Sequence, residues 1–160
     1  MKEHGKPITI LIADDDPDDR MLIKDALEES RLVNYLRSFE DDGELMDYLY
    51  RRGKYTEPMD SPRPALILLD LNMPRKDGRG ALREIKADPD LRRIPIVVLT
   101  TSKAEEDISR SYDLGVNAYI VKPVKFEVLV DVMKRLVRYW FEIVTLPPER
   151  IGDLDEQPAN

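Results

Sequence analysis

The chain contains no cysteine, which removes disulfides, thiolate metal sites and thiol nucleophiles from its chemistry. Histidine is nearly as scarce. The single one, His4, precedes the first apolar run, so catalysis by histidine is not expected. Positive charge is short too: 25 Lys and Arg stand against 32 Asp and Glu, net -7. That balance lacks the basic face that phosphate contacts require, and direct DNA binding is not expected. No apolar run approaches the roughly 18 residues of a membrane span. The opening Met-Lys-Glu-His-Gly-Lys-Pro has no apolar signal region. A cytoplasmic protein without a membrane partner is the expectation.

What is present is a regular alternation. The 160 residues, 42% of them hydrophobic, suffice for one well-filled core. Short apolar runs read as strands at Ile8 to Ala13, Asn34 to Phe39, Ala65 to Asp70, Ile96 to Thr100 and Ala118 to Val121. Amphipathic helices follow them at Pro17 to Ser30, Gly43 to Arg52, Gly78 to Asp88, Glu105 to Leu114 and Phe126 to Ile143. Such alternation predicts an α/β fold with right-handed crossovers and a parallel sheet covered on both faces. Gly53 to Pro64, with three prolines, reads as a loop. Ser102 with Glu105 suggests a capping box for the fourth helix, and Gly115 a C-cap.

The chemistry gathers where strands end. Asp70 closes an unbroken apolar run at the carboxyl edge of the sheet, the edge where ligands of such folds bind. A second apolar strand runs into Asp14, Asp15, Asp16, Pro17, Asp18 and Asp19. If the two strands are neighbours, Asp14 and Asp15 meet Asp70. Three crowded carboxylates repel unless a cation intervenes, and oxygen-only ligands favour a hard divalent ion, Mg2+ above others. An EF-hand reading fails, because Asp19 stands where the turn glycine belongs and Asp25 where the bidentate glutamate belongs. Asp16 suits an N-cap with Pro17 as first helical residue, and Asp18 and Asp19 suit the positive end of the helix dipole. Thr100 and Lys122 end two further strands on the same edge. A carboxylate, a hydroxyl and an ammonium beside a metal-binding acid pair can handle a phosphoryl group carried on Asp70.

Asp70 to Thr100 spans 30 positions and Thr100 to Lys122 spans 22. With the acidic pair, this spacing resembles the receiver domain of bacterial two-component response regulators, over Ile8 to about Ile143. Asp15 to Asp70 is 55 positions, longer than in the chemotaxis receiver, with the insertion placed in Gly53 to Pro64. The resemblance implies a flavodoxin-like (βα)5 fold, strand order 2-1-3-4-5. It also implies that Asp70 is the phosphoacceptor, that Asp14 and Asp15 hold Mg2+, and that Asn72 offers the metal its backbone carbonyl. Lys122 would bind the phosphoryl group and join Pro123 through a cis bond. Thr100 and Tyr119, the latter three positions before the lysine, would form the switch that alters the surface of the fourth helix, fifth strand and fifth helix. Asp77 is read as a turn residue only.

The last helix carries two apolar stripes. Phe126, Leu129, Val130, Met133, Val137, Trp140, Phe141 and Val144 can face the sheet, while Val128, Val132, Leu136, Tyr139 and Ile143 form a second face. An extra apolar face predicts a homodimer through this helix. Residues 1–144 read as the receiver domain and 145–160 as a tail without an output domain. The insertion and the Trp-Phe-Glu-Ile-Val-Thr-Leu-Pro-Pro segment are similar to single-domain regulators of bacterial phytochrome histidine kinases. That likeness implies a sensor histidine kinase as partner, with a bacteriophytochrome as the specific candidate. Two alternatives stand beside this reading. A haloacid dehalogenase-like phosphatase would need an acid two residues after Asp70, where Asn72 stands, and a binding module that is never phosphorylated would not need the acidic pair, Thr100 and Lys122.

Overall fold

The computed structural model describes residues 9–28, 35–57, 61–73 and 78–140. His4, Asp77, Phe141, Ile143, Val144 and the 145–160 tail lie outside them.

Five strands and five helices alternate: β1 (Thr9–Ala13), α1 (Pro17–Glu28), β2 (Tyr35–Phe39), α2 (Asp42–Tyr50), β3 (Leu66–Leu69), α3 (Gly78–Ala87), β4 (Ile96–Thr100), α4 (Glu105–Leu114), β5 (Ala118–Val121) and α5 (Phe126–Arg138). All pairings are parallel, in the order β2-β1-β3-β4-β5. The flavodoxin-like expectation, strand order included, is met. Strand alternation splits the core. Leu11, Ala13, Ile67, Leu69 and Val98 point into one cluster with Leu45, Leu49, Leu82 and Ile85 of α2 and α3. Ile10, Ile12, Leu66, Leu68 and Val97 point into the other with Ile23 and Leu27 of α1 and Leu129, Met133 and Val137 of α5.

Local signals explain the ends. Asp16 Oδ1 accepts from the backbone N–H of Asp18 at 2.9 Å, so the expected N-cap of α1 forms. Gly115 ends α4 at φ 106°, the left-handed cap. The Ser102–Glu105 capping box does not form. Ala104 holds the cap position, and the Ser102 hydroxyl donates instead to Asp107 Oδ2 at 2.6 Å. The insertion is only partly irregular: Gly53–Tyr55 forms a 3-10 turn that buries Tyr55 edge-on against Phe39 and Tyr48. The Tyr48 hydroxyl donates to the Pro62 carbonyl at 2.7 Å and pins the segment that leads into β3.

In α5 the expected inner stripe is buried at Leu129, Met133, Val137 and Trp140, but Phe126 is 56% exposed. Phe126 opens the helix beyond the carboxyl ends of the strands and borders Met21 and Leu22 of α1 instead of the sheet. On the second face Val128 and Tyr139 are exposed, while Val132 and Leu136 pack partly on the core. At the sheet's outer edge, the β5 backbone N–H of Tyr119 donates to the Tyr112 hydroxyl of α4 at 3.1 Å.

Candidate functional site

Register brings the acids together. Ala13 of β1 pairs with Leu69 of β3, so the next residues, Asp14 and Asp70, leave the sheet side by side. Backbone bonds hold them there: Asp70 N–H donates to the Ala13 carbonyl at 2.9 Å, and Asp14 N–H to the Phe39 carbonyl at 3.0 Å. Both residues are buried. A carboxylate oxygen from each of Asp14, Asp15 and Asp70 lies within 4.8 Å of the others. Lys122 is fixed by its backbone N–H on the Thr100 carbonyl, 2.8 Å, one step beyond the β4–β5 pairing. The Lys122–Pro123 peptide is trans, as are all peptide bonds among the described residues, so the expected cis bond is not formed.

The Lys122 ammonium lies 2.7 Å from Asp14 Oδ2, 2.8 Å from Asp19 Oδ2 and 2.9 Å from Asp70 Oδ2. Its side chain is only 6% exposed. Burial opposes its charge, but the Asp14 and Asp19 hydrogen bonds and the Asp14 and Asp70 charges outweigh that and raise its pKa. Burial likewise pushes the Asp14 carboxyl up to about 6, against the Lys122 contacts that favour its charged form. Three carboxylates thus contact one ammonium, and Asp15 adds a fourth beside Asp14 and Asp70. Such an excess of negative charge, presented entirely by oxygen donors, fits a hard divalent cation held by Asp14, Asp15 and Asp70.

Asn72 links the acid to the threonine. Its backbone N–H donates to Asp70 Oδ1 at 2.9 Å, and its amide to Thr100 Oγ1 at 3.2 Å and Thr101 Oγ1 at 3.1 Å. Thr100 is fully buried. The Tyr119 hydroxyl donates to the Ser102 carbonyl at 3.1 Å, so it reaches the β4–α4 loop instead of Asp70. Gly78 presses on the back of the site. A Cβ there would lie 2.2 Å from the Asp70 carbonyl oxygen, so only glycine permits this approach.

Three features escape a reading of the linear chain. Asp19 belongs to the Lys122 cluster as well as to the helix start; as the third residue after the Asp16 cap, its side chain leans back toward the sheet edge. The signal was there in the capping geometry. Arg20 Nη1 donates to the Asp14 carbonyl at 2.7 Å. Arg79 reaches from α3 to α4, with Nε 2.7 Å from Asp107 Oδ1 and Nη2 2.5 Å from Oδ2, and this fork, with the Ser102 hydroxyl, lowers the Asp107 pKa to about 2.

A buried acid flanked by two more and by an ammonium, at the carboxyl edge of a 2-1-3-4-5 sheet, defines a receiver. The chain belongs to the response regulator receiver domain family, whose model matches residues 10–134. It is similar to the response regulator Rcp1 of Synechocystis sp., 43% identical over 145 residues that cover 91% of this chain and 97% of Rcp1. The Mn2+-bound form of Rcp1 superposes with TM-score 0.83 at 44% identity, covering 89% of this chain and all of that one. The phosphorylated cyanobacterial phytochrome response regulator RcpA gives 0.84 at 43% identity with the same coverage. The bacteriophytochrome response regulator AtBRR gives 0.67 at 36% identity, over 91% of this chain and 99% of its own.

Proposed function

We propose that this receiver takes a phosphoryl group onto Asp70 from a phosphohistidine of a sensor kinase and passes the signal through the α4, β5, α5 face. One observation carries the reading: the buried Asp70 carboxylate lies 2.9 Å from the Lys122 ammonium and within 4.8 Å of the Asp14 and Asp15 oxygens. An Asp70 oxygen would form the new bond to phosphorus as the phosphorus–nitrogen bond to the kinase imidazole breaks. Lys122 would follow the developing charge on the phosphoryl oxygens, and Thr100, released from Asn72, would donate its hydroxyl to another. Asp14, Asp15, Asp70 and the Asn72 carbonyl would hold Mg2+, which when bound neutralises phosphoryl charge. Solved relatives described as phytochrome and bacteriophytochrome response regulators support a kinase of that class as donor. The exposed Val128 and Tyr139 on α5 support a homodimer through that helix.

The test is labelling by acetyl phosphate with and without Mg2+. The native chain is expected to label only with the cation, and Asp70→Asn not at all. Undiminished, Mg2+-dependent labelling of Asp70→Asn refutes the assignment.

A further inference from the structure

Lys122 keeps a partner that phosphoryl transfer does not demand. An ammonium has three N–H donors. All three find carboxylates: Asp14 at 2.7 Å, Asp70 at 2.9 Å and Asp19 at 2.8 Å. The first two also belong to the oxygen cluster that fits a divalent cation, and Asp19 does not. Ammonium and cation therefore compete for the same Asp14 and Asp70 oxygens, and each hydrogen bond Lys122 makes to them is one the cation must displace.

Asp19 alters that competition. It lies in the first turn of α1, with its side chain 14% exposed and its backbone N–H turned toward Asp16 Oδ1. The helix start thus fixes the Asp19 backbone independently of Lys122, and from there the carboxylate reaches the ammonium. We infer that Asp19 is a positioning residue, which seats the Lys122 ammonium on the α1 side of the site and so leaves Asp14 and Asp70 to a divalent cation. The inference rests on the cation reading of Asp14, Asp15 and Asp70. Removal of the Asp19 carboxylate acts twice in the same direction: Lys122 settles more firmly on Asp14 and Asp70, and one negative charge leaves the neighbourhood. Both weaken cation binding.

The two contributions separate in a calorimetric titration of the full chain with MgCl2. Asp19→Asn is expected to bind Mg2+ roughly tenfold more weakly than the native chain, equivalent to one step of about 1.4 kcal/mol. Asp18→Asn removes the same charge from the same turn, where Asp18 is exposed, and is expected to change affinity by less than about twofold. In a Lys122→Met background, Asp19→Asn is expected to lose no more than Asp18→Asn does. Asp19→Ser, which keeps a short polar side chain in the first turn, provides the same comparison should the Asn variant fail to fold. An Asp19 effect equal to that of Asp18, or one that persists in full without Lys122, overturns the positioning role. A native chain that takes up no Mg2+ overturns the cation reading itself.

Discussion

Two glycines of one helix should respond to the same substitution with opposite sign. Alanine at Gly78 would put a methyl group 2.2 Å from the Asp70 carbonyl oxygen and 2.9 Å from Leu71 Cα, both backbone atoms that no rotamer change can move. Overpacking of this kind costs about 1–3 kcal/mol. The displacement also strains the Gly78 N–H bond to the Leu71 carbonyl, 3.2 Å, worth about 1 kcal/mol. Set against a helix-propensity gain of about 0.5 kcal/mol, the net loss is about 1.5–3.5 kcal/mol. At about 2–4 °C per kcal/mol for a chain of this size, the melting midpoint should fall by about 3–14 °C. At Gly80 a Cβ would meet only Arg83 Nη2 at 3.9 Å, so Gly80→Ala should stabilise by about 0.5 kcal/mol. Calorimetric melts of the two variants beside the native chain measure both. Because the clash falls on the Asp70 carbonyl, Gly78→Ala should also slow acetyl phosphate labelling at temperatures where it remains folded. A Gly78→Ala midpoint equal to or above that of Gly80→Ala refutes the close approach.

Acid should loosen the α3–α4 bridge in a definite window. The folded pKa of Asp107, about 2, lies below its ordinary 3.8, so the unfolded chain binds the proton more readily. The bridge's contribution is complete above about pH 4 and is lost as pH falls through 3.8 toward 2; urea midpoints of Asp107→Asn should therefore vary less with pH across that window than those of the native chain. Tyr48→Phe should cost about 1 kcal/mol in urea unfolding through loss of the bond to Pro62; no change in midpoint would show that the insertion is held by ring packing alone. Val128→Glu with Tyr139→Glu alters only exposed side chains, so light scattering should show a dimer converted to a monomer that keeps the far-UV circular dichroism of the native chain; a parent that is already monomeric refutes the α5 interface.

The fold was legible because its strands announce themselves. The runs of β1 and β3 are short and buried and that of β5 is short and half-buried, and each is stopped by a polar residue: Asp14, Asp70 and Lys122. The site is therefore readable wherever a residue's place at a strand end decides its neighbours. It was not readable where a second explanation sufficed locally. Asp19 satisfies a helix dipole, yet its ammonium partner lies 103 positions away. Arg79 and Asp107 lie 28 positions apart and meet only because α3 and α4 pack side by side. Phe126 has the correct helical phase for the core, but phase does not say that the first turn of α5 stands above the sheet.

The hydroxyl of Tyr112 on the outer backbone of β5 restricts how a partner can read this face. An open strand edge invites another strand to extend the sheet, whether from a target peptide or from a second molecule. Here the Tyr119 donor is already taken. While the Tyr112 hydroxyl holds it, that donor cannot join a ladder with an added strand, so a side chain of α4 blunts this point of the β5 edge against sheet extension.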